Sequence, residues 1–560
     1  MKNSGLKSKK VLLAAWGCEN PKDTYMYQIY YLMLKKIFPN LEIFDTKKNY
    51  FQFGKDSTNK NFLEFIKDKN YDLILFALEY DEFYLETFLK IKEMCPNSKS
   101  TIIICDDDTR FDSWSRYMGL FFDYVIASQD FLKEYKKDGI KAFFHLDYNT
   151  NELKPMNLKK IYDVTFIGRP KADRNEVIKY LLDNGIKVTL FGWDWYKYPE
   201  FKDVYKGPLN QKEYAEVINQ SKINLSPAKA GYTEQRTQYN MKGRYFEVAL
   251  CKSFQLIERF PTLLKFFSEK EIGMYDSQEG MLNKIKYYLK NEKEREKMAE
   301  RAYNKTIKKY NREKQLINIF INIFKKKGLR SLPKLNKKII ILEKRDLYLS
   351  SNLFKKLENV DYITFKNNNL KSVSDFKDYF LERALEITDK PIACCDYYVS
   401  PSGLKDYMVF LSKVSFNRIG KEANNLVDIN SLIVRKDFFL KNISSFIQLF
   451  NGKTIDLINE ENISFVNLPL LSIKKFKKIE YEKIKKAFEM KFPNELFSLM
   501  YQKKILLSKY PYLLMLKSIR NNFIVKYLLE MIKDKNNQDK LLVNKIYIEN
   551  SPIEKLKKKN

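Results

Sequence analysis

The sequence predicts an α/β protein: two successive parallel-sheet units, a smaller third α/β region, and a basic helical tail. Three observations carry this reading. Apolar runs of strand length recur through the first 330 positions, separated by helical stretches of about 10–15 residues, the spacing of βαβ crossovers. Several of these runs stop at a glycine, where a strand can turn sharply into a helix. At about 150 residues per domain, a chain of 560 residues has room for three or four such units.

Composition narrows the function classes. Hydrophobic residues make up 44% of the chain and aromatics 15%, too many for a disordered polypeptide. One histidine, His145, excludes a multi-histidine metal site and zinc hydrolase chemistry with it. The six cysteines (Cys18, Cys95, Cys105, Cys251, Cys394, Cys395) form no CxxC pair and read as reduced core thiols of a cytoplasmic protein. Lys and Arg number 101 against 70 Asp and Glu, a net charge of +31. Because the lysines are spread along the chain, a solvated surface is the plain reading. An anionic membrane surface is the second, and nucleic acid is not an expected partner. The opening MKNSGLKSKKVLLAAWG reads as a first buried strand rather than a signal peptide, and no apolar stretch is long enough to predict a transmembrane helix. The expected location is cytoplasmic, with the inner face of the cytoplasmic membrane as a peripheral alternative.

The first unit, 1–155, offers strands at 10–17, 41–46, 71–80, 100–108, 123–129 and 142–147, with helices between them. This is a Rossmann-like alternation. The second unit, 156–327, opens with DVTFIG, the helix NEVIKYLLDNG and KVTLFGW. It continues through NQKEYAEVINQS, SKINLSP, a long polar loop, GRYFEVALC and SFQLIE, and ends in a charged helical stretch. Neither unit carries GxGxxG, which argues against a dinucleotide dehydrogenase. GLRSLPKLN at 328–336 reads as a linker, a third α/β region occupies 335–478, and 479–560 is a basic helical tail.

In open α/β sheets ligands bind outside the carboxyl ends of the strands, so the strand ends are the candidate sites. Gly168 ends one strand and is followed by Arg169, Lys171 and Arg174 at a helix start. Guanidinium groups and backbone donors there suit a diphosphate; a plain turn with solvated charges is the alternative. Gly192 and Trp193 end the next strand, where the tryptophan would stack on a base or fill the core. The loop before GRYFE delivers Arg236, Lys242, Gly243 and Arg244 ahead of Glu247, a set able to hold phosphates and a ribose or simply a solvated loop. In the first unit CDDDTRFD places Asp106, Asp107 and Asp108 after an apolar run, as a solvent-exposed turn or as a general base for a hydroxyl. No metal is expected there, because no partner cluster of oxygen ligands is visible. His145 is a further base candidate, with a structural role as its alternative.

From Asp163 to about Asn311 the chain resembles the catalytic half of the glycosyltransferases related to spore maturation protein B, of the GT-B fold. The resemblance rests on FIG followed by Arg174, on SKINLSP, on KGRYFEVALCKSFQLIE and on MYDSQEGMLNKIKYYLKNEKEREKMAERAYNKT. DYVIASQDFLKEYKKDGIKAFFHLDYNT is similar to the end of that family's first half. The resemblance implies a nucleotide-diphosphate sugar as co-substrate and no metal or other cofactor. It places Arg244 near the diphosphate and Glu247 on the ribose, with Asp107 or Asp108 as base on the acceptor side. Many related retaining enzymes carry a second glutamate eight positions earlier; here that position is Tyr239, which leaves retention or inversion open. Cys251-Lys252 replaces the usual Cys-Gly step.

A second, weaker resemblance covers DYFLERALEITDKPIACCDYYVSPSGLKDYM and NSLIVRKDFF, which look like the middle of a GT-A family-2 glycosyltransferase with Asp396 as its one remaining carboxylate. This implies a degenerate GT-A-like domain serving structure or acceptor binding. The expected function is transfer of a sugar to a glycan, lipid-linked or protein acceptor in bacterial surface glycan synthesis. The alternative is a non-catalytic glycan- or partner-binding scaffold with decayed lobes.

Overall fold

The computed structural model describes residues 4–18, 26–78, 82–105, 107, 111–150, 152–170, 173–232, 237–239, 241–325, 337–348, 350–368, 370–373, 377–399, 407–409, 429–451, 455–459 and 461–473. The expected basic tail, 479–560, lies outside them.

Six parallel strands form the first sheet: β1 (Val11–Ala15), β2 (Glu42–Asp45), β3 (Leu73–Ala77), β4 (Lys99–Ile104), β5 (Tyr124–Ala127) and β6 (Ala142–Phe144), in the order β2-β1-β3-β4-β5-β6. Its central strands are apolar on both sides because both faces are covered. Leu12, Ala14, Ile74, Phe76, Ile102 and Ile104 point into one core, and Val11, Leu13, Leu73, Leu75 and Ile103 into another. Part of the cover on the second face comes from far along the chain. Leu316, Ile319, Phe320 and Ile323, on the helix Arg312–Lys325, join that core, with Phe320 edge-on to Phe38 at 4.9 Å.

The second sheet contains β7 (Tyr162–Ile167), β8 (Val188–Phe191), β9 (Ser221–Ser226), β12 (Gln255–Glu258) and β13 (Gly273–Tyr275), again all parallel, in the order β13-β12-β9-β7-β8. Two parallel Rossmann-like sheets in series are thus present. The loop expected before GRYFE contains a feature the sequence did not announce. Its chain folds into an antiparallel hairpin of β10 (Lys229–Tyr232) and β11 (Thr237–Tyr239), with Lys229 directly opposite Tyr239. Lys252, where the family resemblance expects glycine, adopts φ 50°, the left-handed conformation that glycine takes without strain.

The third sheet is mixed: β14 (Ile339–Glu343), β15 (Tyr362–Lys366), β19 (Leu432–Arg435), β17 (Ile392–Val399), β20 (Ile463–Ile473) and β16 (Leu370–Val373) follow one another, with β18 (Tyr407–Val409) beside β17. Asp396 lies inside β17 at a register shift opposite Pro469, rather than at a strand end. The helix Lys377–Glu386 of this region extends the core on the first sheet's other face, where its Phe380 meets Tyr117 and Phe121. Beside it the buried Arg116 holds both oxygens of Asp138, at 2.8 and 2.9 Å, and Asp138 also accepts from Arg383 at 3.3 Å. Among the described residues no helix is long and apolar enough to cross a membrane.

Candidate functional site

The strand ends of the second sheet build the site. Gly168 follows β7 and donates its N–H to Phe191 O, while its carbonyl accepts the indole N–H of the buried Trp195 at 2.6 Å. Gly192 follows β8 with φ 114°, and a Cβ there would lie 2.5 Å from Gly168 O, so these two strand ends touch backbone to backbone. Trp193, by contrast, is 41% exposed. Arg169 is exposed, with its nearest acidic partner, Asp194, at 3.8 Å.

Two cations converge on this turn. The guanidinium carbons of Arg174 and Arg244 lie 5.6 and 5.8 Å from the centre of the Phe166 ring, so both lean on one aromatic side chain. Arg244 also comes within 3.5 Å of the place a Gly168 side chain would occupy. Arg174 donates to Arg169 O at 2.8 Å. The Nε of Arg244 is buried without a hydrogen-bond acceptor among the described residues. A donor aimed at no acceptor, beside a second guanidinium, is an arrangement that an anion completes.

The helix Arg244–Leu250 is anchored from the other side by the first unit. Gly243 is needed here because its Cβ would fall 2.1 Å from Asp147 O, on the connector between the two sheets. Glu247 accepts the Asn149 N–H at 2.9 Å and the Tyr214 hydroxyl at 2.6 Å. Burial pushes the Glu247 carboxyl above its ordinary range, against the opposing pull of these two donors and Arg244; burial and the Glu247 charge push the Tyr214 phenol well up. Lys242 donates to Pro227 O at 2.5 Å. Gln129, at the end of β5, pairs with the backbone of Met241 in both directions, Met241 N–H to its Oε1 at 2.9 Å and its Nε2 to Met241 O at 3.3 Å. The segment carrying Lys242, Gly243 and Arg244 is therefore held by both lobes.

The structure thus brings together Gly168, Arg174, Gly192, Lys242, Gly243, Arg244 and Glu247. Lys171 and Arg236 lie outside the described residues, as do Asp106 and Asp108. Asp107 is fully buried and accepts the Tyr135 hydroxyl at 3.2 Å. His145 is not at an open strand end: it is 1% exposed, beside Tyr30, and accepts from Arg312 Nε at 3.4 Å. Burial and the Arg312 charge push its pKa well below the usual range, so it is a neutral acceptor in the joint between the lobes. This placement corrects the base reading for His145. Tyr214, Asn149 and Gln129 were not legible as site residues. A tyrosine on an amphipathic helix and two amides in polar loops carry no distinguishing pattern, and their roles arise only from contacts across the fold.

Residues 174–320 match a family model described as glycosyl transferase-like. No curated protein matches the chain. Among solved structures, S. aureus TarM shares 13% identity and a TM-score of 0.38 over 48% of this chain, which spans 58% of TarM's length. Sucrose-phosphate synthase from Thermosynechococcus elongatus shares 10% identity over 57% of this chain and 100% of its own, with a TM-score of 0.41. Anabaena HepE, solved in complex with UDP-glucose, shares 10% identity over 56% and 99% of the two chains, with a TM-score of 0.40.

Proposed function

We propose that this chain is a nucleotide-sugar-dependent glycosyltransferase of the GT-B type. The observation that carries the proposal is the convergence of Arg174 and Arg244 on Phe166 beside Gly168, with the Arg244 Nε left open to an acceptor. The family model over residues 174–320 supports the same reading. The donor diphosphate takes the two guanidinium groups, with Arg169 and Lys242 adding positive charge at the rim. Glu247, held by Tyr214 and Asn149, takes the ribose hydroxyls. As the sugar leaves, charge grows on the diphosphate, and fixed cations stabilise that charge more than they stabilise the intact donor.

The first unit takes the acceptor. Asp107 and Asp108 are its base candidates, and Asp107, buried in this conformation, would have to become accessible to a hydroxyl. The resemblance to the relatives of spore maturation protein B points to a glycan, lipid-linked or protein acceptor in bacterial surface glycan synthesis. The third region, with its mixed sheet, is the candidate degenerate GT-A-like part. The nucleotide sugar is a co-substrate, and the proposal includes no further cofactor.

The test is thermal unfolding against a panel of UDP-, GDP-, ADP- and CMP-sugars, with Arg244→Ala and Glu247→Ala beside the natural chain. A nucleotide that raises the melting temperature, with the rise lost in both variants, supports the donor site. A second reading, a scaffold with decayed lobes, is favoured by Tyr239 standing where retaining relatives carry a carboxylate. It predicts no shift with any nucleotide, in the presence or absence of acceptor glycans.

A further inference from the structure

Next to the paired arginines lies a second polar cluster that the donor assignment does not use. Lys229 reaches Asp173 Oδ2 at 2.6 Å and Glu258 Oε1 at 3.7 Å, joining two carboxylates through one ammonium group. Glu258 Oε2 accepts the Ala228 N–H at 3.0 Å. Asp173 directly precedes Arg174, and Glu258 ends β12. Opposite Lys229 across the hairpin, Tyr239 lies flat on Phe260, with ring centres 5.5 Å apart and planes 8° apart, and is 39% exposed.

Two polar atoms of this cluster are buried without a hydrogen-bond partner among the described residues: Asp173 Oδ1 and the hydroxyl of Tyr275. Tyr275 is 5% exposed and sits beside Glu258 in register between β12 and β13. After burial itself, the Glu258 and Asp173 charges push its phenol furthest up, so both carboxylates face it. One acceptor and one donor are left open beside an exposed aromatic face. A polyhydroxylated ring matches that set: its hydroxyls donate and accept in turn, and its C–H face covers an aromatic ring.

We infer that Asp173, Lys229, Glu258, Tyr239 and Tyr275 form the subsite for the sugar ring of the donor. This deepens the donor reading above and rests on it. Tyr239 supplies a stacking face where retaining relatives carry a carboxylate, and the hydrogen-bonding role passes to Asp173 and Glu258. Lys229 ties the two carboxylates together and fixes their orientation.

The experiment compares calorimetric titrations with paired probes, UDP against UDP-glucose and GDP against GDP-mannose, on the natural chain and on Asp173→Asn, Glu258→Gln and Tyr239→Ala. The expected result is that each variant binds the nucleoside diphosphate within about twofold of the natural chain, while its Kd for the nucleotide sugar rises about 10- to 100-fold. Arg244→Ala weakens both members of a pair equally. Equal losses for diphosphate and nucleotide sugar, or no loss for either, overturn the subsite while leaving the donor site standing. A natural chain that binds no member of either pair overturns the donor reading and the subsite together. Tyr239→Ala changes an exposed side chain, so the test does not depend on replacing a carboxylate. A merely structural ion triad lowers the melting temperature without separating the paired probes.

Discussion

Gly192→Ala tests whether the site depends on the backbone contact between two strand ends. The new methyl group would meet Gly168 O at 2.5 Å, its carbonyl carbon at 2.9 Å and its nitrogen at 3.0 Å, and backbone cannot swing aside as a side chain can. The φ of 114° adds strain of its own. Positive φ costs about 1–3 kcal/mol for a residue with a side chain, and overpacking about 1–3 kcal/mol more, together about 2–6 kcal/mol. Gly185→Ala separates the two effects, because Gly185 also has positive φ, 74°, but nothing lies within 4 Å of its added Cβ. Urea unfolding followed by tryptophan fluorescence reads the stability; Trp193 and Trp195 lie in this lobe. Titration with the nucleotide identified in the thermal panel reads the site. Gly185→Ala should bind like the natural chain. Gly192→Ala should unfold at clearly lower urea and bind at least about tenfold more weakly, since displacing Gly168 disturbs the turn beside Arg244. Equal midpoints for the two variants, with natural affinity in Gly192→Ala, would refute the argument.

Three further outcomes follow from the contacts between regions. Phe320→Ala removes a fully buried ring from the helix that crosses back to the first sheet, and should cost about 3–5 kcal/mol, measured by urea unfolding. Asp138→Asn leaves the buried Arg116 with Asp112, at 3.2 Å, as its remaining carboxylate; a loss of about 1–3 kcal/mol is expected, with earlier proteolytic cleavage in the third region because Arg383 loses the same partner. For Glu247 the folded pKa lies above the unfolded one, so the group favours the folded state most below the unfolded pKa, and that contribution disappears as pH rises through the folded pKa. The stability of the natural chain relative to Glu247→Gln should therefore fall as pH rises above the ordinary glutamate range, about pH 4, and a pH-independent difference in urea midpoints would count against burial as the cause.

The parts of the fold that were legible are those where one short segment meets a uniform environment. Strands β1, β3 and β4 read as continuous apolar runs because Leu12 and Leu13, though neighbours, enter different cores and both need apolar side chains. Gly168 and Gly192 were legible because strand ends that touch admit no side chain. The β10–β11 hairpin was not, since its segment reads as a polar loop and its pairing is short and interrupted by a register shift. Nor could sequence show that Gln129 holds Met241, 112 positions away, or that Asn149 holds Glu247. Those contacts are set by how two sheets meet, and an amide in a loop looks the same whether it meets water or a backbone.

The covering of the first sheet has a consequence for how the regions depend on one another. A helix from a later part of the chain adds to each of its cores: Arg312–Lys325 joins Tyr30, Leu34 and Ile37 on one face, and Lys377–Glu386 extends the other through Phe380 on Tyr117 and Phe121. Removing the first would strip Leu316, Ile319, Phe320 and Ile323 from one core, and removing the second would bare the rings of Tyr117 and Phe121 to water. The buried Arg116 lies at the second of these faces, and its Asp138 partner is shared with Arg383 of the third region. A third region joined only by a flexible linker would share neither an aromatic core nor a buried ion pair with the first sheet. Its attachment is therefore part of the stability of the first unit, and substitutions at Phe380 should destabilise the segment that carries Asp107 and Tyr135 although they lie in a different region of the sequence.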